Sequence, residues 1–188
     1  MSAFVRPADG PVVLRLDEQE TSVLGQLASQ LVEMLEDATR AGIATAVHLD
    51  PAMARLVPEG YRDDPEAAEE FRRFTADDLV DGKVSAAQTV LDAVTATGPE
   101  AEVPGVVPAG HEGGVAVSLV GDTAWTWLRF LNDTRLTIAA RLGIEDDTEP
   151  FEPDPTDDDD EQDPQLMMAI YAWLGYLQES IVAVLDEA

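Results

Sequence analysis

Cysteine is absent from the 188 residues, which excludes disulfides, thiolate metal sites and a thiol redox switch. Lysine is almost absent: ten of the eleven basic residues are arginine, and Lys83 is the only lysine. Histidine is limited to His48 and His111, with no HExxH or similar spacing, so a zinc centre has too few ligands. Ser22, Ser29, Ser85, Ser118 and Ser180 lie in no G-x-S-x-G setting. Neither the G-x-G-x-x-G pattern nor a P-loop occurs. Together these absences argue against an enzyme, and no cofactor or metal is expected. Residues 1–17 lack a basic start followed by an apolar stretch, so a secretory signal is not expected. No apolar run approaches the roughly 20 residues of a membrane span, so no membrane association is expected and the cytoplasm is the default location.

Acid is what the chain has in excess. Its 38 Asp plus Glu against 11 Lys plus Arg give a formal net charge of −27. A surface of that sign repels phosphate backbones, which argues against direct nucleic-acid binding. The 45% hydrophobic content nevertheless supplies a core, so the chain is no acidic disordered tail. Its length suits a single domain spanning 1–188. The charge is unevenly placed, because no base follows Arg141 while fifteen acids do. Residues 145–164 hold twelve acids and four prolines, and are expected to form a solvated acidic loop or linker. The run 157–160 is contiguous aspartate without the spaced oxygens and glycine of an EF-hand loop. A second loop is expected over 98–114, which holds five glycines and three prolines.

Helical periodicity dominates elsewhere. Asp17 can cap a helix with the stripe Leu24, Leu27, Leu31, Met34, Leu35 and Ala38, ending near Gly42. Two shorter helices are expected over 65–94, broken at Asp81–Gly82, and another after Pro164. Residues 12–16 alternate as a strand that could pair with 3–6, and 115–120 follow a double glycine. The expected fold is mainly α: a helical bundle with a small antiparallel sheet (α+β).

Two places carry candidate functional residues. On the helix over 122–142, projection at about 100° per residue puts Asn132 and Arg135 inside the principal apolar arc. A buried Arg135 keeps its charge and needs a carboxylate or carbonyl partner, for which acids of the 63–70 segment are the candidates. The competing reading is an anion-binding pocket around Arg135 and Asn132, with Tyr61 or Asp64 as neighbours. The second place is 49–75, where Arg55, Arg62, Arg72 and Arg73 interleave with Asp63, Asp64, Glu66, Glu69 and Glu70. Phe71 and Phe74 are expected to face the core there. The acids are at least as numerous as the bases, so a structural charge network or a partner surface is expected rather than a nucleic-acid patch. A metal-dependent enzyme using Asp63, Asp64 and Glu70 would need carboxylates free of these arginines.

Three blocks, RLVPEGYRDDPEAAEEFRRFT at 55–75, WLRFLNDTRLTIAARLGI at 127–144 and YAWLGYLQESIVAVL at 171–185, carry a family resemblance. The chain resembles, over nearly its whole length, the actinobacterial domain-of-unknown-function family that includes the oxidative-stress regulator AosR. The resemblance implies a regulatory, non-catalytic role in stress-gene control through a protein partner such as a sigma factor. Where redox sensing in that family uses cysteine, this chain departs from it. An acidic chain suits a basic transcription factor as partner.

Overall fold

The computed structural model describes residues 3–7, 10–58, 60–61, 64–96, 106–109, 114–144 and 163–186. The acidic stretch 145–162, the remainder of 98–114, and Asp63 lie outside them.

Alternation builds the sheet. In β2 (Val12–Leu16), Val12, Leu14 and Leu16 are buried while Arg15 points outward. β1 (Phe4–Val5) pairs antiparallel with it, Phe4 opposite Leu14. β4 (Gly114–Leu119) pairs on the other side, setting Leu119 opposite Val12 and Val115 opposite Leu16, so its apolar set joins the same face. β3 (Val106–Ala109) completes the order β1-β2-β4-β3. This strand corrects the expectation of a loop throughout 98–114. Pro108 is compatible with it because β3 is an edge, where a missing N–H need not break a ladder.

The helices begin where the polar caps stand. Asp17 and Glu20 form a reciprocal capping box at the start of α1 (Glu18–Ala41), at 2.8 and 3.1 Å. That helix stops at Gly42, whose φ of 93° favours glycine. Two short helices follow, α2 (Ile43–Leu49) and α3 (Pro51–Leu56), the second capped by Asp50 through the Ala52 N–H. Asp64 caps α4 (Pro65–Thr95), with Pro65 in the first turn. α5 (Thr123–Arg141) packs against α1, α3, α4 and α6 (Pro164–Asp186) and is the centre of the bundle. Trp127, Phe130 and Leu131 are fully buried, and Trp127 meets Phe4 edge-to-face at 5.9 Å.

The mainly α architecture with a small antiparallel sheet agrees with expectation, but three details differ. First, α4 is one helix of 31 residues, unbroken at Asp81–Gly82. Ala76, Val80, Ala87, Val90 and Val94 are buried along it, and its packing on α1 outweighs the roughly 1 kcal/mol that an interior glycine costs. Second, Phe71 and Phe74 do not face the core: Phe74 is 64% exposed, because the N-terminal turns of α4 present these rings to solvent. Third, α6 is long and apolar enough, by length and composition alone, to cross a membrane, with a mean hydropathy of 1.4 over its best window. It instead seats Leu174, Leu177 and Ile181 fully in the core, and the Phe4 N–H donates to Ser180 Oγ at 3.1 Å to tie the helix to β1.

Gly82 is solvent-exposed, and a methyl group there would meet nothing within 4 Å. Gly82→Ala should therefore raise stability by about 0.5–1 kcal/mol in urea unfolding. A destabilised variant would mean that α4 is not a regular helix at this point.

Candidate functional site

The site is organised by a buried charge. Asp133, on α5, is only 3% exposed and accepts a hydrogen bond from Lys83 Nζ of α4 at 2.6 Å. The sole lysine of the chain thus neutralises a carboxylate inside a helix–helix contact. Burial pushes the Asp133 carboxyl above the ordinary aspartate value of 3.8. The hydrogen bond and charge of Lys83, the Asn132 amide and the Arg129 charge pull it only part of the way back. No spacing rule points to this pair, since the partners are fifty residues apart. The available signal was compositional: one lysine kept in a chain that otherwise uses arginine.

Above the pair, α4, α5 and α6 enclose an open groove of about 630 Å³. Leu79 and Gly82 of α4 line one side, Trp125 and Leu128 of α5 another, and Gln178 and Val182 of α6 the third. Three of these side chains are large, apolar and solvent-facing: Trp125 is 50% exposed, Leu79 41% and Val182 39%. Asp78, Arg129 and Asn132 add polar groups along the lining.

The residues singled out from sequence do not converge on one place. Asn132 is exposed and lines the groove. Arg135 is half-buried, and Asp63, among the acids expected as its partners, lies outside the described residues. Its guanidinium lies 4.4 Å over the Tyr171 ring, and Nη1 donates to Gln178 Oε1 at 2.9 Å. Gly175 permits that approach, because a methyl there would stand 3.5 Å from the guanidinium carbon. The buried stripe of α5 runs through Ala124, Trp127, Leu131, Thr134 and Ile138, which turns Arg135 toward α6.

The 55–73 cluster is similarly divided. Arg55 Nη2 donates to the Ile144 carbonyl at 2.5 Å, and Asp64 caps α4. Tyr61 is exposed and meets the Phe71 ring edge-to-face at 5.9 Å. Glu70 is exposed, Arg72 is half-buried, and Arg73 lies 4.9 Å over the Phe74 ring. Sequence reasoning gave Asp133, Leu79, Trp125 and Val182 no role, and marked Lys83 only as the sole lysine.

These features define a helical α+β domain with an apolar groove between three of its helices and a neutralised ion pair at the base. A family model described as a domain of unknown function (DUF2017) matches residues 1–185, and the chain belongs to that family. No curated protein and no solved structure matches the chain.

The raised Asp133 pKa has a defined sign. The folded chain takes up this proton at higher pH than the unfolded chain does. The group therefore favours folding most below about pH 4, and loses that contribution as pH rises through its folded pKa. A carbon-detected NMR titration should place the Asp133 midpoint above 3.8, and higher still in Lys83→Met, where the opposing ammonium is gone. A midpoint below 3.8 in the wild type would contradict the desolvated setting.

Proposed function

We propose that this chain is a non-enzymatic interaction domain that docks a basic protein partner in the α4–α5–α6 groove. The observation that carries this reading is the exposure of Leu79, Trp125 and Val182 around one open depression. Large apolar side chains held at a concave surface, tryptophan above all, are the usual anchors of protein interfaces. The net charge of −27 supports a partner of opposite sign by steering and by charge complementarity. The groove base supports a non-catalytic role. A protonated Lys83 hydrogen-bonded to Asp133 is a poor nucleophile, and Asp133 has its charge already matched.

In the setting that the family resemblance implies, the partner is a transcription factor such as a sigma factor, and the role is regulation of stress genes in an actinobacterial cytoplasm. The alternative of anion binding around Arg135 and Asn132 draws less support. Arg135 is stacked on Tyr171 and bonded to Gln178, and only Asn132 opens onto the groove.

Affinity purification from native cells tests the reading with wild type and Trp125→Ala side by side. The wild type should retain a basic protein in stoichiometric amount at moderate salt, and Trp125→Ala should lose most of it. Recovery of no such protein, or equal recovery by the variant, would contradict the proposal.

A further inference from the structure

We infer that the outer face of α6 is a self-association surface, on which the α6 of a second copy of this chain packs antiparallel. This face lies beside the groove described above. Gln178 and Val182 are the α6 residues of that groove, and neither belongs to the surface described here.

A helix on the outside of a domain normally turns polar and charged side chains to water. Between Glu18 and Arg40 every exposed residue of α1 is polar or charged. α6 breaks that rule. It packs on α5 and β1, and its opposite side is open to solvent. From Gln165 to Leu185 it holds a single charged residue, Glu179, in a chain whose net charge is −27. The exposed Gln165, Ala169, Ala172, Tyr176, Glu179 and Ala183 recur at alternating intervals of four and three. That is the spacing of a coiled-coil seam, which a second helix covers. Tyr176, 39% exposed, is its one large ring.

The seam is its own complement, and this selects the occupant. Its residues stand nine, five and two positions either side of position 174. A twofold axis there, with the helices antiparallel, sets each residue against its counterpart. Tyr176 of each copy then meets Ala172 of the other, so a large ring faces a small residue twice over. Glu179 meets Ala169, and Gln165 meets Ala183. The two Glu179 carboxylates stand about 15 Å apart along the axis, beyond the screening length of about 8 Å at physiological salt. A parallel pair would instead press Tyr176 on Tyr176 and Glu179 on Glu179. Two such acidic chains repel wherever acids face acids, and the near-neutral side of α6 avoids this. A bilayer is a poorer occupant, because Glu179 lies within the face and anionic headgroups repel the chain.

Sedimentation equilibrium on the full chain tests the inference. The wild type should pass from monomer to dimer below about 0.5 mM, and more readily as salt screens the net repulsion. Ala172→Glu puts two carboxylates about 6 Å apart along the axis. With unchanged melting, it should weaken the dimer at least about tenfold. Ala169→Arg sets a guanidinium against Glu179 of the other copy, and should tighten the dimer about threefold or more. Gln26→Arg makes the same charge change on the exposed side of α1, and should stay within about twofold of the wild type. The chain lacks cysteine, so a spin label on Asp186→Cys is unique. Two labels should lie about 36 Å apart along the axis in the antiparallel dimer, against about 10 Å in a parallel one. A chain monomeric at every concentration, a dimer indifferent to Ala172→Glu or weakened by Ala169→Arg, or a short label distance would overturn the inference. A dimer dissociated by Trp125→Ala alone would move the contact into the groove and overturn it too. So would a monomer that binds phosphatidylcholine vesicles and loses them with Ala172→Glu.

Discussion

A carboxylate buried between two helices is the constraint on which the rest of this molecule turns. Asp133 has almost no access to water, and an isolated charge there would be prohibitive. Only Lys83, reaching across from α4, offers it an ammonium at 2.6 Å. The pair therefore fixes how α4 is rotated against α5. That rotation decides which residues of α4 look inward at Val80 and Ala87, and which look into the groove at Leu79 and Gly82. Removing one partner of such a pair is costly, whereas replacing both by apolar residues is often neutral.

The consequence for function is a groove with a neutral base and apolar walls. Nothing at its base demands a charged ligand, while Trp125, Leu79 and Val182 offer surface that water covers poorly. Asp78 of α4 and Arg129 of α5 stand along its lining, and several arginines elsewhere hold the scaffold. Arg55 bonds the Ile144 carbonyl, Arg141 bonds Asp50 at 2.8 Å, and Arg135 clamps α6 through Tyr171 and Gln178.

Features set by neighbouring residues were legible in the sequence. The Asp17 cap, the Gly42 stop, Pro164 at a first turn and the alternation of residues 12–16 each depend on local geometry, and each stands where expected. What depended on tertiary context was not legible. Gly82 looked like a break because helix propensity counts against it, yet burial on both sides of it carries α4 through. Pro108 concealed an edge strand. α5 is apolar on most sides, so its periodicity could not say which face was deepest, and the Tyr171 and Gln178 contacts of Arg135 on α6 were not foreseen. The groove was out of reach for a related reason. Its base joins residues 83 and 133, and its walls come from three helices whose mutual rotation no local pattern encodes.

A double-mutant cycle on Lys83 and Asp133 tests the central claim most directly, with Lys83→Met, Asp133→Leu and the combined variant compared by chemical unfolding. The account predicts that each single substitution costs about 3 kcal/mol, because it strands a buried carboxylate or leaves a partly buried ammonium unpaired. The combined variant should recover most of that loss, giving a coupling energy of at least about 2 kcal/mol. Additive effects, with a coupling below about 0.5 kcal/mol, would contradict it and leave the rotation of α4 without its cause.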